Sequence, residues 1–444
     1  MDERPYGLPF WIDRDRPDYP PLDRDVTTDV AIVGAGIAGL KLARCLARYG
    51  LKVTILEAGK VGDGASGRNQ GSINHGPGMD YSDAIARYAR PTAQSLWQLG
   101  LENHRLIQEQ IEEYAIDCDY QIDGYYSLAR SDSPDAEAAL AHYAQDYALL
   151  KEDGFAVSLL DAARAVEVGR SSLFLGGLCY LTDAQFHSGK YILGLARGVS
   201  SHQHVQLYGQ SRVQQIVAQG NSAQVITAQG RVSARYVLLM LNALAPQFVP
   251  QLEPGLRAER GQVLVTEPLA ERPCRGSFGT AMAWWREIIE PDGRYRLLFG
   301  GGRRREEPDS LFRQFDRDGR PHPKLEREGF SPSPAHQQRL DRELRTIFPA
   351  LAGVRITHRW GGLQSFTADA LPMIGEFDPD RSIHGMAGFS GRGNCFSDVG
   401  AAYLAGRVAG VVSEVERTFG HLFTQLLTVG RPSATWAAWE TSNE

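Results

Sequence analysis

DVAIVGAGIAGLKLARCLARYGLKVTILE, the stretch from Asp29 to Glu57, decides the fold. Asp29 to Val33 is a short apolar run, the composition of a strand buried on both faces. Ile37 to Tyr49 has helical composition, and Gly50 stands where a C-cap is wanted. Lys52 to Leu56 is a second, β-branched strand, closed by Glu57. The reading is β-α-β. Between the first strand and the helix lies Gly34-Ala35-Gly36-Ile37-Ala38-Gly39, a G-x-G-x-x-G. A lone match to that pattern is weak. Here a strand precedes it, a helix follows, and an acid closes the next strand, which is the context a dinucleotide cradle needs. Gly34 makes the tight turn, Gly36 lets the backbone approach a pyrophosphate, and Gly39 lets helix and sheet pack. The helix start at Ile37 and Ala38 offers free N–H groups and partial positive charge. Glu57, followed by Ala58, would accept hydrogen bonds from the adenosine ribose.

A second glycine cluster follows the acid: Gly62-Asp63-Gly64-Ala65-Ser66-Gly67-Arg68-Asn69-Gln70-Gly71. Successive backbone N–H groups in such a loop form an anion-binding nest. Its length suits a pyrophosphate that continues into an isoalloxazine, so FAD is expected rather than NAD. A third cluster lies near the other end. Trp360-Gly361-Gly362 leads through Thr367-Ala368-Asp369-Ala370-Leu371-Pro372-Met373-Ile374-Gly375 to Gly388-Phe389-Ser390-Gly391-Arg392-Gly393-Asn394, and a helix follows. A helix N-terminus there suits an electron-rich group such as the O2 edge of a reduced flavin.

Composition agrees. The chain has 444 residues, 47 of them glycine, roughly 16 more than average usage gives. No G-X-Y period runs through it, and 43 % hydrophobic residues is globular composition. A net charge of −6 offers no basic face for nucleic acid. Cys45, Cys118, Cys179, Cys274 and Cys395 are scattered with no CxxC, which argues against a disulfide framework and a zinc site and favours a reducing, cytoplasmic setting. Met1 to Asp25 is polar and proline-bearing, so no secretory signal is expected. No apolar run is long enough for a membrane span.

With these three motifs the chain resembles the D-amino acid oxidase-like family of FAD-dependent amine oxidoreductases over about residues 27 to 412. W-x-G, T-x-D-x-x-P-x-I-G and G-x-S-G-x-G form that family's C-terminal signature. Within the family the chain looks most like the γ-glutamylputrescine-oxidising branch. The residues that carry this are Gly64 to Asn69, Ile116 to Tyr120, Arg296 to Gly302 and Phe348 to Val354. The resemblance implies an α/β fold. A discontinuous Rossmann-like FAD-binding domain is expected from residues 27–85, 170–245 and 350–415. An antiparallel-sheet α+β substrate domain is inserted as residues 86–169 and 246–349. Residues 1–26 form an N-terminal arm and 416–444 a C-terminal tail. The resemblance also implies oxidation of an amine or amino acid C–N bond by hydride transfer to flavin N5, with O2 as acceptor and H2O2 as product.

The FAD contacts so implied are Gly34, Gly36, Ile37, Ala38, Gly39, Glu57, Ala58, Gly64, Ala65, Ser66, Arg68, Asn69, Gln70, Gly71, Val213, Asn242, Trp360, Gly362, Gly391, Arg392, Gly393 and Asn394. Hydride transfer from a positioned neutral amine needs little acid–base machinery, so no triad or metal is expected. The substrate site should instead be an aromatic cage. Trp284 and Trp285 are candidates, as are Tyr125 and Tyr126, and His75 follows the nest loop. A substrate carboxylate would need an arginine, and Arg286, Arg303 and Arg392 are the choices.

Departures from the family pattern shape the expectation. Covalent sarcosine oxidases link flavin through a cysteine where this chain has Gly362, so FAD is expected to be noncovalent. Their oxygen-activating lysine aligns with Leu298, which leaves open a dehydrogenase that feeds a quinone or another carrier. The usual S-G-H-G reads Ser390-Gly391-Arg392-Gly393. Residues 303 to 334 look inserted. A nicotinamide-linked reductase would want a second G-x-G-x-x-G, which is lacking. A flavoprotein without turnover is the remaining alternative.

Overall fold

The computed structural model describes residues 7–12, 16–301, 311–312 and 329–431. Arg303 and most of the inserted stretch lie outside the described residues. The β-α-β unit is as the sequence reads. Strand Val26–Val33 pairs in parallel with Val53–Leu56, and helix Ile37–Arg48 connects them. Val30, Ala31 and Ile32 are fully buried, as a strand covered on both faces requires. Gly50, at φ +79°, stands just past the helix.

Around this core the first sheet runs in the order Met373–Asp378, Ile383–Ala387, Arg231–Leu239, Val26–Val33, Val53–Leu56, Val205–Tyr208. The hairpin Gln215–Gln219 and Ser222–Ile226 adds to Arg231–Leu239. The sheet thus collects strands from both ends of the chain. The β-rich stretch Val205 to Val217 contributes to two strands. Gly209 and Gln210 (φ +48°) turn the backbone, so that the Ser211 N–H reaches the Glu57 carbonyl at 2.8 Å.

The second sheet runs Leu311–Phe312, Arg257–Thr266, Tyr295–Gly301, Ala283–Ile289, Ser277–Gly279, Tyr125–Arg130, Phe174–Tyr180, Val157–Leu160, with Ile356–Phe366 beside Arg257–Thr266. It is antiparallel except where Ser277–Gly279 meets Tyr125–Arg130 in parallel. Boundaries at residues 170 and 350 would place Phe174–Tyr180 and Ile356–Phe366 with the first sheet. Their hydrogen-bonded partners, Tyr125–Arg130 and Arg257–Thr266, put them in the second.

The helical stretch from Tyr81 is split just before Pro91. Helix Tyr81–Tyr88 ends, Ala89 takes φ +67°, and Arg90–Glu113 begins with Pro91 in its first turn. The longer helix packs on Gly393–Ala409, where Asn103 donates to the Asn394 carbonyl at 2.7 Å and accepts from the Asp398 N–H at 2.9 Å. Helix Glu414–Gln425, assigned from sequence mainly to a tail, packs on the same helix and stacks Phe423 on Tyr403. No single helix among the described residues is long and apolar enough to cross a membrane.

The second sheet has two covered faces, with side chains alternating between them. Leu264, Trp285, Leu297 and Phe299 face one core, shared with Leu340 and Leu344 of helix Pro334–Ile347. Val263, Val265, Ile288 and Leu298 face the other, which they share with the first sheet and its helices.

Candidate active site

The two glycine loops of the N-terminal half meet first. Gly34 takes φ +104° and donates to the Leu56 carbonyl at 2.8 Å. A Cβ on Gly39 would lie 2.1 Å from the Gly34 carbonyl oxygen, so this glycine is demanded by helix-on-turn packing. Gly36 differs: its Cβ would meet only Ser66 Oγ, at 3.0 Å. That hydroxyl accepts the Ile37 N–H at 3.0 Å, which ties the nest loop to the helix start beside Ala38. Glu57 accepts from the Ala35 N–H at 2.9 Å and the Gly59 N–H at 3.0 Å, spanning Ala58. Burial raises its carboxyl above the ordinary value, and the Gly59 and Ala35 N–H groups oppose that. Val213 follows this turn two residues after Ser211 and is buried in the core on that side of the first sheet. Asn242, at φ +49°, follows the strand beside Gly34 and accepts the Gly388 N–H at 3.0 Å, which joins the C-terminal loop to the first sheet.

The nest loop is bolted from several sides. Asn69 donates to the Ala65 and Ser66 carbonyls and accepts from the Gly71 N–H (2.7 Å) and Ser188 Oγ (2.9 Å). Arg68 donates to the Gly7, Asp63, Phe330 and Gly361 carbonyls, while Trp360 Nε1 donates to the Arg68 carbonyl at 2.9 Å. Arg68 and Asn69 therefore act as supports for the loop. Asn394 Nδ2 reaches the Ser72 carbonyl at 3.0 Å and, more weakly, Asn69 Oδ1 at 3.4 Å.

A dinucleotide fits what remains. A Cβ on Gly64 or Gly391 would meet nothing within 4 Å, one on Gly393 only Phe389 at 3.9 Å, and one on Gly362 only Arg68 at 3.4 Å. The hydrogen bonds above join the three loops and the two helix starts, and these glycines leave room beside them. Gln70 Nε2 is bonded to Ser72 Oγ, but Gln70 Oε1 is buried without a partner, an acceptor waiting for a donor. FAD would be held by the Gly34–Gly39 turn, Glu57, the nest loop and the Gly391–Asn394 helix start.

The substrate-site candidates separate. Trp285 is fully buried, stacked among Phe174, Phe278 and Phe299, and belongs to the core of the second unit. Its neighbour Trp284 points the other way, toward the core shared with the first sheet. Strand alternation puts them on opposite faces, so only Trp284 can serve the cage. The same rule divides Tyr126, stacked on Phe278, from Tyr125. Glycine at 279 and 300 makes room: a Cβ there would lie 2.0 Å from the Tyr125 hydroxyl and 2.1 Å from the Trp284 ring.

Arg286 is not free to clamp a substrate. Buried to 4 % exposure, it donates to the Glu287, Gln70 and Phe186 carbonyls and lies over the Trp11 ring. It supports the nest loop from beneath. His75 is also buried, with Nδ1 bonded to Asp183 and its ring against Tyr180. Arg392 differs from both. It is half-buried and has no carboxylate partner among the described residues. Burial lowers its pKa, but Cys395, Tyr125, Asp183 and Tyr180 outweigh that and hold it above the ordinary value. Burial likewise raises the Tyr125 and Tyr180 phenols. Tyr125 and Tyr180 are cross-strand partners, and both act electrostatically on Arg392.

The model of the DAO family, FAD dependent oxidoreductases, matches residues 29–407. The chain belongs to this family. It is an FAD-dependent oxidoreductase. It is 30 % identical over 404 residues to gamma-glutamylputrescine oxidoreductase of Escherichia coli (strain K12), covering 87 % of this chain and 84 % of that one. In fold it is similar to glycine oxidase from Geobacillus kaustophilus (TM-score 0.71, 20 % identity, 88 % of this chain and 96 % of that one). It is also similar to the L-amino acid deaminase of Proteus myxofaciens solved in complex with anthranilate (TM-score 0.71, 18 % identity, 94 % and 96 %).

Two features of this DAO-family chain escaped sequence reading. Tyr180 and Asp183 carry no motif. Tyr180 enters the cage through pairing with Tyr125, and Asp183 binds Asn74 and His75 across more than a hundred residues. Leu298, flagged by its alignment with a lysine, is fully buried on the face turned toward the first sheet.

Proposed function

We propose that this protein oxidises the C–N bond of a primary or secondary amine that carries a carboxylate, with noncovalent FAD as cofactor and O2 as acceptor. The observation that carries this reading is Arg392, a half-buried guanidinium without a carboxylate partner among the described residues, at the start of the helix whose Asn394 is bonded to the nest loop. FAD, held by the Gly34–Gly39 turn, Glu57 and the nest loop, would supply the two-electron acceptor for oxidation of the amine to an imine, which water hydrolyses. The chain's own residues bind and orient. A carboxylate docks on the Arg392 fork. The Tyr125, Tyr180 and Trp284 rings line the amine-bearing end. Rigid sheet strands hold this geometry, and orientation is most of the catalysis. The named activities of the relatives, on gamma-glutamylputrescine, glycine and L-amino acids, support the class. A cytoplasmic setting suits five free cysteines.

Peroxide release over a panel of amino acids, N-methyl amino acids and polyamines is the direct test. Turnover of carboxylate-bearing amines is expected, and turnover confined to amines without a carboxylate refutes the Arg392 assignment. Anthranilate, the carboxylate bound by the Proteus myxofaciens relative, provides a binding probe through the flavin absorbance. Arg392→Met should weaken it about 10- to 100-fold, the loss of a charge-assisted pair. No spectral change with the unaltered protein also counts against the reading. Acid precipitation should release the flavin, since Gly362 offers no thiol for a link.

A second reading is a dehydrogenase using a quinone or another carrier. The buried Leu298, where oxygen-activating relatives are expected to carry a lysine, favours it. Substrate-dependent bleaching of the flavin with negligible peroxide in air would select this reading.

A further inference from the structure

The end of the described chain reaches back to the T-x-D loop. Arg431 Nε donates to Asp369 Oδ2 at 2.7 Å and an Arg431 terminal nitrogen to Asp369 Oδ1 at 2.8 Å, a bidentate pair with both side chains 3 % exposed. The remaining Arg431 donors go to the Leu371 (2.6 Å), Thr428 (3.0 Å) and Pro372 (3.1 Å) carbonyls. All five N–H groups are thus spent on one loop and the turn that leads to it. Asp369 Oδ1 also accepts the Leu371 N–H at 3.2 Å, and Thr367 Oγ1 donates to the Leu371 carbonyl at 2.8 Å. Ala370 within this loop is held at φ +59°, a conformation that local geometry alone does not favour for alanine.

The loop is welded to the residues before Arg392. The Thr367 N–H donates to Ser390 Oγ at 3.2 Å, and the Ser390 N–H to the Ser365 carbonyl at 2.8 Å. Ser390 sits at φ +50°, immediately before Gly391 and Arg392. A Cβ on Gly388 would lie 2.5 Å from Thr367 Cγ2, so the two loops interlock. Two strained residues are therefore fixed by one buried ion pair and its hydrogen bonds.

We propose that Arg431 is a positioning residue: through Asp369 it sets the loop that presents Arg392, and so sets the affinity of the site for a carboxylate. This rests on Arg392 as the carboxylate clamp. The fork matters because lysine, a point charge, cannot hold both carboxylate oxygens and three carbonyls.

A double-mutant cycle on the FAD-loaded protein tests it, with anthranilate as probe and flavin absorbance as readout. Arg431→Lys is expected to weaken anthranilate at least fivefold. In an Arg392→Met background the same change should alter the affinity less than twofold, with FAD content equal throughout. An equal weakening in both backgrounds, or none in either, overturns the proposal. If Arg392→Met alone leaves anthranilate affinity unchanged, the clamp reading fails and the positioning role fails with it. If Arg392→Met weakens the probe while Arg431→Lys does not, only the positioning role fails. Should Arg431→Lys not fold, Asp369→Asn breaks the same pair from the other side, and its cycle with Arg392→Met separates the same outcomes.

Discussion

Gly36→Ala distinguishes a glycine kept for a ligand from one kept for the fold. Gly36 has φ −70° and ψ 176°, a backbone any L-residue adopts, so alanine brings no strain. The added methyl would meet one protein atom, the Ser66 hydroxyl at 3.0 Å, which can rotate away at the cost of its bond to the Ile37 N–H. Losing that bond costs about 0.5–1.5 kcal/mol of apoprotein stability. A pyrophosphate laid against the turn would meet the methyl directly. Overpacking of that kind costs about 1–3 kcal/mol, roughly a 5- to 150-fold rise in the FAD dissociation constant. Gly39→Ala is the contrast. Its methyl starts 2.1 Å from a backbone oxygen and would have to retreat by about 1.3 Å to reach an ordinary contact, which forces helix Ile37–Arg48 off the turn. That variant should lose apoprotein stability and FAD together. The assays are thermal unfolding of the apoproteins and FAD titration by fluorescence quenching. The cradle assignment is refuted if Gly36→Ala binds FAD within twofold of the unaltered protein, or if its apoprotein melts as low as Gly39→Ala.

Other expectations follow from the same geometry. Trp285→Ala should destabilise the protein by about 3–5 kcal/mol, since it empties a stacked core site. Trp284→Phe should leave the melting temperature nearly unchanged and raise the substrate KM, and the opposite pattern would reverse the assigned faces. His142 is raised to about 9, chiefly by its hydrogen bond to Asp80, with burial opposing. Because its folded pKa lies above the ordinary value of about 6.5, the stabilisation is complete below pH ~6.5 and is lost as pH rises through about 9. The melting temperature of the unaltered protein should therefore fall more steeply over that window than that of His142→Gln, and parallel curves would remove the pair from the stability account.

Local signals were legible because their physics is local. A glycine turn between a buried strand and a helix, with an acid one strand later, needs no tertiary knowledge to be read as a dinucleotide cradle. The Gly388 to Gly393 cluster was readable for the same reason: it joins a strand end to a helix start, whereas Gly361 and Gly362 stand within strand Ile356–Phe366. The break before Pro91 is local in the same sense, since proline suits the first turn of a helix and not its interior.

The cage was not legible. Trp284 and Trp285 look equivalent in sequence, and it is their place in strand Ala283–Ile289 that makes them face opposite ways. Only the packing of one sheet against the other decided which of them faces the first sheet. Arginines posed the same problem. Arg286 and Arg392 look alike in sequence, yet carbonyls of Gln70, Phe186 and Glu287 occupy one, while the other has no carboxylate partner among the described residues. Tyr180, Asp183 and the Arg431–Asp369 pair are joined to the site by contacts across long stretches of chain. Backbone propensity sets which elements form and where they turn. A buried cation's partners, and so its availability to a ligand, are set by which distant carbonyls and carboxylates the fold brings within hydrogen-bond reach.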